Sequence, residues 1–379
     1  MVDMGNIIIA GTESVFGLSQ IKEAFSSLGF RVRFAEAPFM RKYIAPHGSE
    51  PVDYSADFAG NDVVVPLSEF WISWCIKTGR CCISQTALRA SRSKKFLYET
   101  LAAAGADSVR SFSGIDEAFS ELENGVKIVV KPEGLYSGLG IIVVDPPHRD
   151  MLGTYVQQAQ AIHTKNMKLM EIENGPCMLT EYISGAEYSA DCFFFRGRIS
   201  LVRVCRKKIV LINKKPCAAV YQLVKPDQKI TQCLELWMNA MFEQDNISFG
   251  QFDFIITDDG SRIVPIDFAA RVGGGLTELL SETGTNPYAD AVRGECRVYD
   301  GGKVFTQFNY LPVKNGYITN DNYNLAEGHQ YVFKHTGDYV ISFPSSVGSR
   351  IALVIQQRDS EALPDNVPDS LLVDGRWIT

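Results

Sequence analysis

The chain has 379 residues, 46% hydrophobic and 21% charged, and its 37 Lys and Arg against 44 Asp and Glu leave a formal charge of −7. That length supplies roughly two or three domains with ample core, and the acidic balance excludes a general nucleic-acid binder, which needs excess basic side chains against phosphate. The start, Met-Val-Asp-Met-Gly-Asn, has no basic n-region and no apolar run reaches spanning length, so the expectation is a cytoplasmic protein with no membrane partner.

The first ninety residues alternate strand and helix signals: a strand over 6–10, an amphipathic stretch over 15–28, strands over 30–34 and 62–66, and a helix over 69–78. This order predicts a small α/β unit. Gly11 and Gly17 follow the first strand, but Gly-Thr-Glu-Ser-Val-Phe-Gly misses the GxGxxG spacing and no acidic residue closes the second strand, so no dinucleotide site is expected. Residues 91–104 read as one helix carrying Lys94 and Lys95 and ending at Gly105. Nine cysteines without a CxxC pair and five dispersed histidines predict neither zinc nor disulfides.

The most informative stretch runs from Val129 to Val144, two β-branched runs joined by a glycine-rich loop that opens on Lys131. Gly134, Gly138 and Gly140 allow close backbone approach to an anion, Ser137 adds a hydroxyl, and Lys131 adds a point charge, which is the chemistry of a phosphate cradle. An ordinary hairpin with a glycine loop has the same local pattern.

Further strands are expected over 177–183, 188–195, 199–205, 249–257 and 262–268, with helices over 151–171 and 229–244 and a variable section before the second helix. Asp258-Asp259-Gly260 suits a hairpin turn. Past residue 300 come short strands over 305–311, 330–334 and 350–357.

Two carboxylate groups stand out in this region. Glu187 begins a strand just after the Glu181-Tyr182-Ile183 segment and Gly185, where a carboxylate can accept two hydroxyls from a ribose; a solvated edge glutamate is the plainer reading. Asp253 and Asp267 lie on hairpin partners whose other residues are largely apolar, so these charges need a partner, and magnesium takes one or two carboxylates plus substrate phosphates. Six basic residues crowd 203–215. Most read as a solvated face, with Arg206 set apart as able to reach a phosphate or a substrate carboxylate.

Taken in order, these motifs resemble the ATP-grasp superfamily in its carboxylate–amine (amino-acid) ligase branch. Ser-Lys-Lys-Phe is similar to the first ATP-lysine motif, with Lys94 better spaced than Lys95. Lys131 in Val-Val-Lys-Pro is similar to the second lysine, and the loop through Ser137 and Gly138 to the phosphate lid. Glu181, Tyr182 and Ile183 match the adenine hinge, Glu187 the ribose acid and Asp253 the first magnesium ligand. The metal motif departs from Glu-x-Asn-x-Arg: Asp267 shortens the bridging glutamate, Ala269 removes the asparagine, and Arg271 is kept.

The resemblance implies an α/β (α+β) ATP-grasp fold with a Rossmann-like N-terminal domain over 1–90, a lid and central part over 91–185, a catalytic part over 186–298 and a β-rich C-terminal region over 299–379. It implies ATP and Mg2+, with Mn2+ as a substitute, acting through Lys94, Lys131, Arg271, Asp253 and Asp267. The expected reaction joins a small-molecule carboxylate and an amine, amino acids being the best guess, through an acyl phosphate, with room for a homodimer. Two alternatives remain open: an ATP-binding protein with reduced turnover because of Ala269, and a ligase acting on a carrier protein or peptide. The segment over 207–221 and Glu278 are expected to border the substrate pocket.

Overall fold

The computed structural model describes residues 6–11, 18–35, 62–81, 83–135, 138, 140–170, 177–195, 197–212, 215–243, 247–271, 273, 278–279, 282, 289, 304–320, 322–340, 350–358, 363, 372–373 and 377–378. Ser137, Gly17, Gly274 and Gly275 lie outside the described residues, as does the expected domain junction near 298.

Strands β1 (Asn6–Ala10), β2 (Arg31–Ala35) and β3 (Val63–Pro66) form a parallel sheet in the order β2-β1-β3. Parallel neighbours need a crossover, and helix α1 (Leu18–Ser27) supplies the one between β1 and β2. The uninterrupted Ile7-Ile8-Ile9 run follows from burial on both faces: Ile7 and Ile9 pack with Ile21 and Phe25, and Ile8 packs with Trp71 and Ile72.

Helix α2 (Glu69–Thr78) ends at Gly79. The helix expected over 91–104 is α4 (Lys94–Ala103), and residues 91–92 instead end a separate helix, α3 (Gln85–Arg92), which the sequence reading did not include. Ser93 breaks them: its backbone is extended and its Oγ accepts from Phe96 N at 3.2 Å, an N-cap that starts a new helix at Lys94.

A second, antiparallel sheet follows. It contains β4 (Ser111–Phe112), β5 (Ile128–Pro132), β6 (Ile142–Val144) and β7 (Cys177–Glu181) in the order β4-β7-β5-β6, with helices α5 (Ile115–Glu123) and α6 (Leu152–Met170) packed on its core. Helix α5 has no counterpart in the sequence reading.

The largest sheet holds β8 (Gly185–Phe195), β9 (Arg198–Ile212), β10 (Lys215–Leu223), β11 (Ile247–Thr257), β12 (Ile263–Ala269) and β13 (Val304–Pro312), with helix α7 (Gln228–Met241) between β10 and β11. Its order is β12-β11-β8-β9-β10-β13-β17-β15, where β15 is His329–Val332 and β17 is Ala352–Arg358. Short strands β14 (Gly316–Ile318), β16 (Tyr339–Val340) and β19 (Trp377–Ile378) make a small separate sheet, and β18 (Leu372–Val373) pairs with β13. The variable section of the sequence reading thus contains a strand, β10, and it joins the C-terminal strands to the rest of this sheet without a break.

One face of β8–β12 is apolar and backed by helices: Phe194, Phe252, Phe254 and Phe268 pack with Trp237 of α7 and with residues of α2, α3 and α4. Burying each such ring contributes about 2–3 kcal/mol. Because side chains alternate along a strand, that apolar face obliges Glu187, Ser189, Asp191 and Asp253 to the other one. Among the described residues no helix is long and apolar enough to cross a membrane.

Candidate functional site

A cleft opens where the N-terminus of α4, the β5–β6 loop and strands β12, β11, β8 and β9 meet. Lys94, Lys131, Lys207, Glu187, Asp253, Asp267 and Arg271 all line it.

The loop and α4 are tied by one carboxylate. Glu133, two residues past Lys131, accepts from the backbone N–H of Lys94 at 2.8 Å and of Lys95 at 3.2 Å. Those amides are among the orphan donors of a helix start, where the dipole also favours an anion, so the β5 loop caps α4 from outside. Lys94 itself points inward, with Nζ 2.8 Å from Asp267 Oδ1 and 3.2 Å from the carbonyl of Leu135. The neighbouring Lys95 is an exposed residue paired with Glu99, so of the two lysines Lys94 is the one that lines the cleft.

Lys131 reaches the same cleft from β5. Its Nζ donates to Tyr98 Oη at 3.0 Å, and that hydroxyl donates to the carbonyl of Ile266 at 2.9 Å. Among the described residues it makes no ion pair. Burial, reinforced by the Lys94 charge, lowers its pKa from 10.5 to about 8. Gly138 lines the cleft with φ +72°, and a Cβ there would meet the carbonyl of Pro216 at 3.3 Å, so a glycine lets the loop approach β10.

Asp253 and Asp267 sit opposite one another in the β11–β12 ladder. The sequence reading placed most of the basic run 203–215 on a solvated face and set Arg206 apart; the register reverses two of these roles. Tyr188 pairs with Arg206, so Arg206 shares the face of Tyr188 and Val204 and does not line the cleft, whereas Lys207 does. Lys207 Nζ donates to Glu187 Oε1 at 2.9 Å and forms an ion pair with Asp253 Oδ1 at 2.8 Å, off hydrogen-bond alignment. Burial works against its charge, but Asp253 and Glu187 outweigh it and hold the ammonium protonated. The signal was present as parity: Glu187 and Lys207 belong to the same face once the hairpin register is known.

Arg271 is fixed by Glu69, 2.8 Å from both Nε and Nη2, and donates from Nη1 to Gln251 Oε1 at 2.9 Å. Gln251 in turn donates to Ser189 Oγ at 3.0 Å. Ala269 stands opposite Gln251 in the ladder. Two residues beyond Arg271, Gly273 donates its N–H to Asp191 Oδ1 at 2.7 Å, and Asp191 holds the buried Arg203 through Nε at 2.8 Å. A Cβ on Gly273 would lie 2.5 Å from Asp191 Oδ1 and 2.8 Å from Arg203 Nη2, which explains why this place in the glycine run admits no side chain.

Glu181 ends β7, Tyr182 and Ile183 lie in the link to β8, and none of the three lines the cleft. Glu181 accepts from Arg110 N at 3.1 Å, Tyr182 N donates to the carbonyl of Lys127 at 2.9 Å, and the Tyr182 side chain is exposed. Among the described residues no three His, Cys, Asp or Glu converge as a self-sufficient metal cage. The facing Asp253 and Asp267 therefore fit a hard cation whose shell is completed by phosphates and water, the usual habit of magnesium.

No protein-family model and no curated protein matches the sequence. Among solved structures, an L-amino acid ligase from Bacillus licheniformis superposes over 94% of each chain with a TM-score of 0.66 at 16% identity. The biotin carboxylase domain of 2-oxoglutarate carboxylase from Hydrogenobacter thermophilus, solved with MgADP, covers 92% of this chain and 85% of its own at 0.62 and 14% identity. N5-carboxyaminoimidazole synthase from Aspergillus clavatus, solved with ADP, covers 94% and 95% at 0.61 and 11% identity. The chain has the ATP-grasp fold. In this chain the cleft lies between the sheet of β4 to β7 and the large sheet.

Proposed function

We propose that this chain is an ATP-dependent carboxylate–amine ligase that joins small-molecule substrates, one of them an amino acid, through an acyl phosphate, and works in the cytoplasm with Mg2+. One observation carries the reading: three ammonium groups from three different elements, Lys94, Lys131 and Lys207, converge on the facing carboxylates Asp253 and Asp267.

Phosphoryl transfer asks the protein mainly for positioning and charge neutralisation. Among the described residues Lys131 has no carboxylate partner, so it meets an incoming phosphate as an unpaired cation, with Gly138 lining the same cleft. Lys94 and Lys207 are each ion-paired beforehand, so both are held in place and shift toward phosphate oxygens with little reorganisation. Asp253 and Asp267 would hold Mg2+, which when bound neutralises phosphate charge; Mn2+ suits the same oxygen donors. Arg271, locked by Glu69 and Gln251, presents a planar fork toward the transferring group. A substrate carboxylate attacks the γ-phosphorus, its O–P bond forming as the bond to the leaving ADP oxygen breaks. The amine then attacks the acyl carbon and phosphate departs, leaving an amide.

Ala269 favours a second reading, nucleotide binding without ligation, because a methyl group offers no oxygen to a metal. A screen of amino-acid pairs for ATP-dependent phosphate release, with mass detection of products, separates the two. Release with an amide product is the expected result; tight ATP binding with no release across the panel favours the second reading.

A further inference from the structure

One strand of the carboxylate hairpin lacks an oxygen at 269, and the strand opposite carries one. Asp253 and Asp267 face each other across β11 and β12, and the pair two residues along each strand is Gln251 and Ala269. Alternation puts both pairs on the same face of the sheet, and all four residues line the cleft. At three corners of this square stands a side chain with an oxygen. At the fourth stands the methyl group of Ala269.

The Gln251 amide is held at both ends. Arg271 Nη1 donates to Oε1 at 2.9 Å, and Nε2 donates to Ser189 Oγ at 3.0 Å. A guanidinium has donors only, so it is the oxygen of the amide that faces Arg271. That oxygen has two lone pairs, and the Nη1 bond takes one of them. Arg271 is itself matched by Glu69 at 2.8 Å, so its charge does not bar a second cation from Oε1. The two acids also have donor capacity left. Asp253 Oδ1 is buried and accepts no hydrogen bond, although Lys207 lies beside it, and the Lys94 ammonium and the Phe268 N–H both go to Oδ1 of Asp267, not to its second oxygen. Two carboxylates and a neutral amide oxygen make a hard donor set with room for water and phosphate, as magnesium requires.

We propose that Gln251 Oε1 is a ligand of the nucleotide-bound divalent cation, supplying from β11 the oxygen that Ala269 removes from β12. The proposal rests on the ligase reading and deepens it, because it removes the difficulty that Ala269 poses for metal binding.

The test is Mn2+ binding to the full-length chain with ADP, followed by the electron paramagnetic resonance of the ion, with its bound water counted from line broadening in isotopically enriched water. Gln251→Ala should weaken Mn2+ by about tenfold or more and add one water to the bound ion. A side chain that only steadied Arg271 would leave that water count unchanged. Ala269→Asn in the Gln251→Ala background, which returns an amide oxygen from the other strand, should restore affinity and water count together. If Gln251→Ala fails to fold, Gln251→Glu decides: it keeps the shape, turns the amide oxygen into a carboxylate oxygen and should bind Mn2+ more tightly than the unaltered chain. Unchanged Mn2+ affinity or water count in Gln251→Ala, no recovery in the double variant, or no tightening in Gln251→Glu overturns the assignment. Failure of the unaltered chain to bind ADP with Mn2+ overturns the ligase reading instead.

Discussion

Lys207 Nζ lies 2.8 Å from Asp253 Oδ1 and simultaneously bonds Glu187, so one buried ammonium holds together the two acids that the resemblance assigns to metal and ribose. Without a cation between them, like charges on neighbouring strands would repel. Lys207 thereby keeps the acidic half of the cleft assembled before any ligand arrives.

Lys207→Met should therefore destabilise the free protein by about 2 kcal/mol, below the usual cost of breaking a fully buried pair because both acids are partly exposed. Urea denaturation measures this. A stability unchanged within error would mean that the acids find other partners, and added Mg2+ should recover part of the loss.

Lys131 makes the site sensitive to pH. Its pKa is about 8 in the folded chain against an ordinary 10.5, so between those values the unfolded chain binds the extra proton. Stability of the free protein should rise from pH 8 toward 10.5 by up to about 3 kcal/mol from this group. Phosphate binding restores the proton, so nucleotide affinity should fall above pH 8, with proton uptake on binding at pH 8.5. Calorimetry in buffers of different ionisation enthalpy reads that uptake, and Lys131→Met should abolish it along with turnover.

Glu133, just past β5, is tied to the start of α4 by two backbone amides. Glu133→Ala should cost about 1 kcal/mol by uncapping the helix. It should also raise the KM for ATP, because Lys94 begins that helix. Equal KM values would show that Lys94 keeps its place without the cap.

Gly273→Ala places a methyl group 2.5 Å from Asp191 Oδ1. The Asp191–Arg203 pair must shift, an overpacking cost of about 1–3 kcal/mol, and thermal unfolding should report it. The same change at Gly260, where a Cβ meets nothing within 4 Å, tests the contribution of its φ of +67° alone.

The order of motifs along the chain carried the ATP-grasp fold, because each motif is local: a lysine at a strand end, a glycine loop, acids at fixed places on a hairpin. Strand alternation alone placed Asp253 and Asp267 together, since Asp-Asp-Gly closes their hairpin within a few residues. What escaped was set by contacts distant in sequence. Arg206 and Lys207 are adjacent, and only the register of β9 against β8 decides which one enters the cleft. Ser93 splits a helix that periodicity reads as continuous, because its cap competes with helix propagation. Glu133, Tyr98 and Gln251 have unremarkable neighbours in sequence and acquire partners only when the sheet of β4 to β7, α4 and the large sheet meet. The sequence by itself determined which charges this protein owns and on which strands they ride; the tertiary structure decided which of them face one another, because a one-residue change of register moves every side chain of a strand to the opposite face.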